Sequence, residues 1–211
     1  MARESLKEKA YSIIKNKIIN CEYTPGVFLN EADLMKEINA SRTPIREALN
    51  KLEQENLVKI ISKRGVLVSE VSMNEINDIY QIRELLEPYI IRVWGNRLDK
   101  NTLEKYKEKI LQLSTSISEQ EVYRVDDELH RFILSACENK YFTQLISITY
   151  DRNHRIRIIS GKISTRLQVT YQEHANILDL LIKGNYEGAA EAMMIHLENA
   201  KKAAAESVFN L

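Results

Sequence analysis

Four residues in the C-terminal half of this 211-residue chain carry metal-ligating chemistry. Asp126 and His130 stand four apart, the spacing that stacks two side chains on one helix face. His130 shares its face with Ile133 and Leu134, His174 lies on a stripe continued by Ile177, Leu178 and Leu181, and His196 lies beside Met193 and Ala200. Three of the four histidines therefore fall on core-facing stripes of three separate predicted helices. Each alone reads as a hydrogen-bonded core histidine. Together with one carboxylate they suit Zn2+, Ni2+, Mn2+ or Fe2+, and residue type does not choose among these. The fourth, His154, sits in Asp151-Arg152-Asn153-His154-Arg155-Ile156-Arg157 and matches no ligand motif; Arg155 and Arg157 either reach the cavity or line a solvated face, and the solvated face is expected for at least one. H-E-x-x-H is absent and no general base stands beside the set, so a metal-dependent hydrolase or lyase is the weakest reading and the chain is not expected to be an enzyme.

A second group of polar residues points to nucleic acid. In Ser41-Arg42-Thr43-Pro44-Ile45-Arg46-Glu47-Ala48-Leu49-Asn50-Lys51-Leu52, the apolar Ile45, Ala48, Leu49 and Leu52 follow i, i+3, i+4, i+7 and form one buried stripe. The opposite face carries Arg42, Arg46 and Asn50 at four-residue intervals with Thr43 beside them, the residue types that bond phosphates and base edges in a major groove. Thr43 is expected as N-cap and Pro44 at the first helical position.

The elements that position these groups follow from the pattern on either side. Residues 5–20 read as a helix with Leu6, Ala10, Ile13, Ile14 and Ile18 on its apolar stripe; Thr24-Pro25-Gly26 breaks the chain; a second helix starts near Asn30 and buries Leu34, Met35 and Ile38. After the recognition helix, the β-branched runs 57–61 and 66–68 flank Ser62-Lys63-Arg64-Gly65, a hairpin with a basic tip, hence a wing. Ser72-x-x-Glu75 and Ser118-x-x-Glu121 read as capping boxes within a run of six helices at roughly 73–95, 100–117, 119–137, 141–160, 165–183 and 186–207. The expectation is a mostly α protein: a winged helix-turn-helix over 1–71, then an all-α antiparallel six-helix bundle over 72–211. Composition agrees, with 44% hydrophobic and 28% charged residues and six Gly and three Pro. Net charge is zero, and residues 1–72 hold 12 Lys and Arg against 10 Asp and Glu, so DNA binding must rest on local placement and on doubling the surface by dimerisation. Cys21 and Cys137 are expected as two buried reduced thiols. No signal-like or long apolar run occurs, so a soluble, cytoplasmic protein with no membrane contact is expected.

The run Pro25-Gly26-x-x-Leu29-Asn30-Glu31-x-x-Leu34, then S-R-T-P-I-R-E-A-L-x-x-L-E-x-E-x-L-V, then Arg64-Gly65, resembles the GntR family of bacterial transcription regulators over nearly all of residues 8–70. The resemblance implies DNA contacts from Ser41, Arg42, Thr43 and Arg46 in the recognition helix and from Arg64 and Gly65 in the wing. Ala32 stands where many members place Arg, which implies a different preferred operator. Arg83-x-x-x-Glu87, Asp126-x-x-Leu129-His130, Glu173-His174-x-x-Ile177-Leu178 and Met193-x-x-His196-Leu197 resemble the FCD ligand-binding domain of the FadR subfamily, with six helices suggesting its shorter, VanR-like branch. That resemblance implies a divalent transition metal held by Asp126, His130, His174 and His196, and a small carboxylate effector contacted by Arg83, for which a salt bridge to Glu87 is the competing role. Leu129 replaces the usual Phe before the first histidine.

The function these readings imply is a homodimeric regulator of transcription, expected as a repressor, the family's commonest form, whose grip on double-stranded operator DNA is tuned by the effector at the metal site through the linker near Ser69–Ser72. The alternative is a direct metal-ion sensor.

Overall fold

The computed structural model describes residues 5–113, 119–161 and 167–209. The chain divides into two compact units, Met1–Val71 and Ser72–Leu211.

In the first unit, α1 (Leu6–Ile19), α2 (Glu31–Ile38) and α3 (Arg42–Gln54) pack with a three-stranded antiparallel sheet of β1 (Phe28–Leu29), β2 (Val58–Ile61) and β3 (Gly65–Val68), in the order β1-β3-β2. Ile14 and Ile18 of α1 meet Ile45, Leu49 and Leu52 of α3 in one cluster. Burying each such side chain contributes about 1.5–3 kcal/mol before chain entropy is set against it. Leu6 lies outside this core, half exposed. β1 is an addition to the expected elements: at two residues it is too short to show an alternating pattern, and it exists because β3 offers it an edge. Ser5 and Glu8 form a capping box at α1, and Asn30 Oδ1 accepts from Ala32 N at 2.8 Å to start α2.

The recognition helix begins earlier than expected. Ser41 is its N-cap and Arg42 its first helical residue, so Pro44 falls at the third position and Thr43 is inside the helix. Proline is accommodated there because none of the first N–H groups has an intrahelical acceptor. In the wing, Lys63 and Gly65 both have positive φ, +63° and +109°. A Cβ on Gly65 would sit 3.1 Å from the Leu29 carbonyl oxygen, so the turn needs glycine for both backbone angle and space.

The second unit contains α4 (Met73–Trp94), a short 3-10 turn (Gly95–Arg97), α5 (Lys100–Leu113), α6 (Glu119–Ser135), α7 (Lys140–Gly161), α8 (Leu167–Ile182) and α9 (Tyr186–Phe209). Six α-helices and no strand occur among its described residues. Its core joins α4, α5, α6, α8 and α9 through Ile91, Leu103, Leu129, Ile177, Met193 and Leu197. Ser72 caps α4 by accepting from Glu75 N at 3.1 Å, but the reciprocal half of the expected box does not form, because the Glu75 carboxylate is taken by Arg152 at 2.6 Å. The Ser118 box lies outside the described residues. Both cysteines are free thiols; Cys137 is buried, whereas Cys21, at a positive φ of 54° just past α1, is only half-buried. Among the described residues no helix is long and apolar enough to cross a membrane.

Candidate metal centre and nucleic-acid interface

Asp126 and His130 come from α6, His174 from α8 and His196 from α9, and the helix packing brings all four together. One ligand atom from each lies within 4.8 Å of the others, and all four residues are buried. His174 Nε2 is 3.1 Å from Asp126 Oδ1 and 3.2 Å from His196 Nε2, and the His130 ring centroid lies 5.3 Å from each of the other two. Two of the rings are oriented from behind. His130 Nδ1 donates to Glu87 Oε2 of α4 at 2.7 Å, and His196 Nδ1 donates to Glu173 Oε2 of α8 at 2.7 Å. With Nδ1 carrying the hydrogen, Nε2 presents its lone pair inward, the arrangement that carboxylates impose on metal-bound histidines. Glu173 is itself fixed by Asn199 Nδ2 at 2.7 Å, and Glu87 by Arg83 Nε at 2.6 Å and Tyr150 Oη at 2.9 Å.

The set fits a divalent transition ion. His130 Nε2 is buried without a hydrogen-bond partner, a loss of about 1–3 kcal/mol unless something accepts its lone pair. Ligands on opposite sides of a metal lie about 4.2 Å apart at the usual nitrogen distance, so a spread of 4.8 Å closes on one ion with shifts of a few tenths of an ångström. Three imidazoles and one carboxylate, with no thiolate, suit the borderline metals rather than Ca2+ or Cu+.

Electrostatics hold these side chains in the forms a metal ion would need. Burial keeps His174 neutral by pulling its pKa down to about 3, Asp126 only partly opposing it. Burial alone would raise the Asp126 carboxyl, but Arg157, with the histidines and Arg83, outweighs it and brings the pKa down to about 2. Glu87 is likewise held well below the carboxylate range, burial being overcome by Arg83 and His130.

Arg83 is fully buried and engaged: Nε donates to Glu87 and Nη1 to Asn153 Oδ1 at 2.9 Å. The salt bridge weighed against an effector contact is therefore present, and Arg83 stands behind His130. Arg155 and Arg157 correct the expectation of a solvated face. Arg155 is 1% exposed, and Arg157 is nearly buried between Asp126 and Asp127, the latter also bonded by His154. Glu87 reads from sequence only as a partner for Arg83, and Glu173 and Asn153 carry no signal of their own. A signal existed for Glu87: it shares the buried α4 stripe of Ile76, Tyr80 and Ile90 with Arg83, and two charges on such a stripe must serve something inside.

On the first unit, Ser41, Arg42, Thr43, Arg46 and Asn50 are all exposed on α3, and Arg64 is exposed at the wing. The α3 arginines are not loose. Arg46 Nε donates to both oxygens of Glu31, at 3.0 and 3.2 Å, and Arg42 Nε lies 3.9 Å from the same carboxylate. Their side chains are still 59% and 67% exposed, so the pair with Glu31 leaves them open to a ligand.

Comparison with known proteins places both units. Residues 6–68 match the family described as bacterial regulatory proteins, gntR family, and residues 78–199 match the FCD domain. The HTH-type transcriptional repressor RspR of Escherichia coli is 24% identical over 201 residues, spanning 92% of this chain and 87% of that protein. The crystal structure of a GntR-type transcriptional regulator from Rhodococcus sp. RHA1 aligns with a TM-score of 0.79 at 20% identity, covering 95% of this chain and 97% of that one. The Zn2+-bound FCD domain of TM0439 aligns at a TM-score of 0.57 and 20% identity, covering 68% of this chain and all of that domain.

Proposed function

The chain belongs to the GntR family of bacterial regulatory proteins and carries an FCD domain, and from that premise we propose how this transcriptional regulator is divided and controlled. Residues 1–71 bind double-stranded operator DNA, with Ser41, Arg42, Thr43 and Arg46 entering the major groove and Arg64, on a turn shaped by Gly65, reaching the backbone beside it. Residues 72–211 hold the control site and join two copies into a homodimer, since one recognition helix reads too few base pairs to compete with non-specific DNA. The protein acts in the cytoplasm as a repressor, the role that the similar RspR carries in its name.

Asp126, His130, His174 and His196 hold a divalent ion, Zn2+, Ni2+, Mn2+ or Fe2+, with Glu87 and Glu173 fixing two of the rings. The ion supplies a Lewis-acid position for a carboxylate oxygen. Arg83 and Arg157, both buried beside the ligands, add positive potential that favours a small carboxylate effector there. Binding is read out through α4, which carries Arg83 and Glu87 and whose N-cap, Ser72, directly follows the first unit. The size of the response is set by the effector's differential affinity for the DNA-binding and released states.

The observation that carries this reading is the convergence of four ligand atoms from three helices within 4.8 Å. Metal content of the purified protein, before and after loading, compared with a His130→Ala, His174→Ala double variant, tests it: about one ion per chain is expected in the wild type and none in the variant. Operator binding is then titrated with metal alone, carboxylates alone and both. A response that needs both supports effector control, a response to metal alone makes the protein a metal sensor, and a wild type that takes up no ion overturns the site.

A further inference from the structure

The asparagine of α7 presents hydrogens that nothing in the fold accepts. Asn153 is fully buried, and its Oδ1 takes a hydrogen from Arg83 Nη1 at 2.9 Å. A guanidinium only donates, so this bond fixes which way the amide is turned, oxygen toward Arg83 and NH2 away from it. Nδ2 makes no hydrogen bond. Leaving such a buried donor unmet costs about 1–3 kcal/mol. An aspartate in the same place would serve Arg83 equally well and leave no hydrogen unmet; what the amide adds is the capacity to donate.

The neighbours of Asn153 on its helix say where that donor lies. Tyr150 and Arg157, one turn to either side, share its face of α7. Tyr150 Oη donates to Glu87 at 2.9 Å, and Arg157 Nη1 pairs with Asp126. Asn153 therefore stands between the carboxylate that orients His130 and a carboxylate of the ligand set, and the Arg83 that holds it has Nη2 3.4 Å from His130 Nδ1. Two buried groups of this region are unmet and opposite in kind, the His130 Nε2 lone pair and the Asn153 N–H hydrogens, and they do not satisfy each other. The lone pair suits a cation, whereas the hydrogens need an oxygen. An acid with one carboxylate oxygen on the ion and a further acceptor oxygen directed at Nδ2 meets both needs. Arg83 is committed through Nε to Glu87 and through Nη1 to Asn153, so it reaches such an acid through the amide it holds.

We infer that Asn153 selects the effector, donating through Nδ2 to a second acceptor oxygen beyond the carboxylate oxygen that the ion holds. The inference rests on the carboxylate-effector reading above and narrows its class to acids carrying a further hydroxyl, keto or carboxylate oxygen, against plain alkanoic acids. An acid without that oxygen leaves the buried donor unmet, and this is how a polar site rejects a ligand of the right size.

The test is calorimetric titration of the zinc-loaded full chain with propionate, 2-hydroxypropionate, 3-hydroxypropionate and malonate, acids of equal carbon count that carry no further oxygen, a hydroxyl at either position, or a second carboxylate. Wild type is expected to prefer at least one of the oxygenated acids to propionate by about tenfold or more. Asn153→Asp, which keeps the acceptor for Arg83, and Asn153→Ala, which adds no charge, are each expected to reduce that preference to about twofold or less with metal uptake unchanged. A second readout needs no variant to fold: in wild type labelled with 15N at asparagine, one side-chain NH2 pair is expected to shift with the preferred acid and to stay in place with propionate. Equal binding of all four acids, a preference that survives in the folded variants, or NH2 pairs that do not respond overturns the assignment to Asn153 alone. A loaded wild type that binds none of the acids at millimolar concentration overturns the carboxylate-effector reading and the assignment with it.

Discussion

Glu31, in the first turn of α2, grips Arg46 of the recognition helix through both carboxylate oxygens, at 3.0 and 3.2 Å from Nε. The arginine is thus held in one orientation, and the same carboxylate opposes any phosphate that approaches beside it.

Two variants separate these effects. Arg46→Ala is expected to weaken binding to the specific operator by about 1–3 kcal/mol, the usual discrimination of a base-reading arginine. Glu31→Gln is expected to tighten binding to random-sequence duplex several-fold while narrowing the ratio of specific to non-specific affinity. Fluorescence anisotropy at matched salt reads both, and wild-type operator affinity for Arg46→Ala would show that the side chain reads nothing.

At the histidine cluster, Glu173→Gln keeps all four ligands but takes the anionic acceptor from His196 Nδ1. Metal affinity is expected to fall about 10–100-fold, measured by competition with a chromophoric chelator. Equal affinity for variant and wild type would mean that Glu173 only packs. Chelation of the metal-loaded wild type should lower its Tm, because an ion joining α6, α8 and α9 binds the folded state alone.

Gly65→Ala forces a Cβ to 3.1 Å from the Leu29 carbonyl oxygen at φ +109°. A loss of about 1 kcal/mol or more is expected in the stability of the first unit, with operator binding weakened through the displaced wing. Metal uptake by the second unit should be unchanged. Loss of metal uptake in this variant would show that damage spreads beyond the wing.

Alkaline pH acts on the first unit through Tyr23. Burial, and donation of its hydroxyl to Glu37 at 2.8 Å, push its pKa up to about 12 from the usual 10. Because the folded value is the higher, the stabilisation is complete below about pH 10 and is lost as pH rises through 12. The stability difference between wild type and Tyr23→Phe in urea should be constant from neutral pH to about pH 9 and shrink above it. A difference that stays flat to pH 12 would rule out this linkage.

The sequence was most readable where a side chain's role is set by spacing along one helix. Ile45, Ala48, Leu49 and Leu52 are buried as their periodicity requires, and the six helices of the second unit begin and end within a few residues of the expected positions where they are described. The buried histidine cluster was legible because each histidine lies on an apolar stripe of its own helix. What joins one helix to another was not. Glu173 neighbours His174 in the chain yet orients His196, and Glu31 is a helix-dipole acid by position yet holds Arg46 fifteen residues on. Arg155 and Arg157 depart from the expected solvated face for the same reason. Alternating charges in α7 look like a solvated face, and only the approach of α6 with Asp126 and Asp127 places Arg157 against acids.

Helix α4 has unusually little latitude for change. Its inner side is committed to Glu87 and Arg83, its outer side exposes Leu85, Tyr89 and Val93, and its first turn is anchored by Ser72 and by the Glu75–Arg152 pair. Random substitutions on the inner side and first turn of this rod should be rejected, whereas α5, with only a narrow buried edge around Leu103 and Ile110, should accept most of them. A lineage of such regulators acquiring new signals would then be expected to vary around the fixed rod rather than along it.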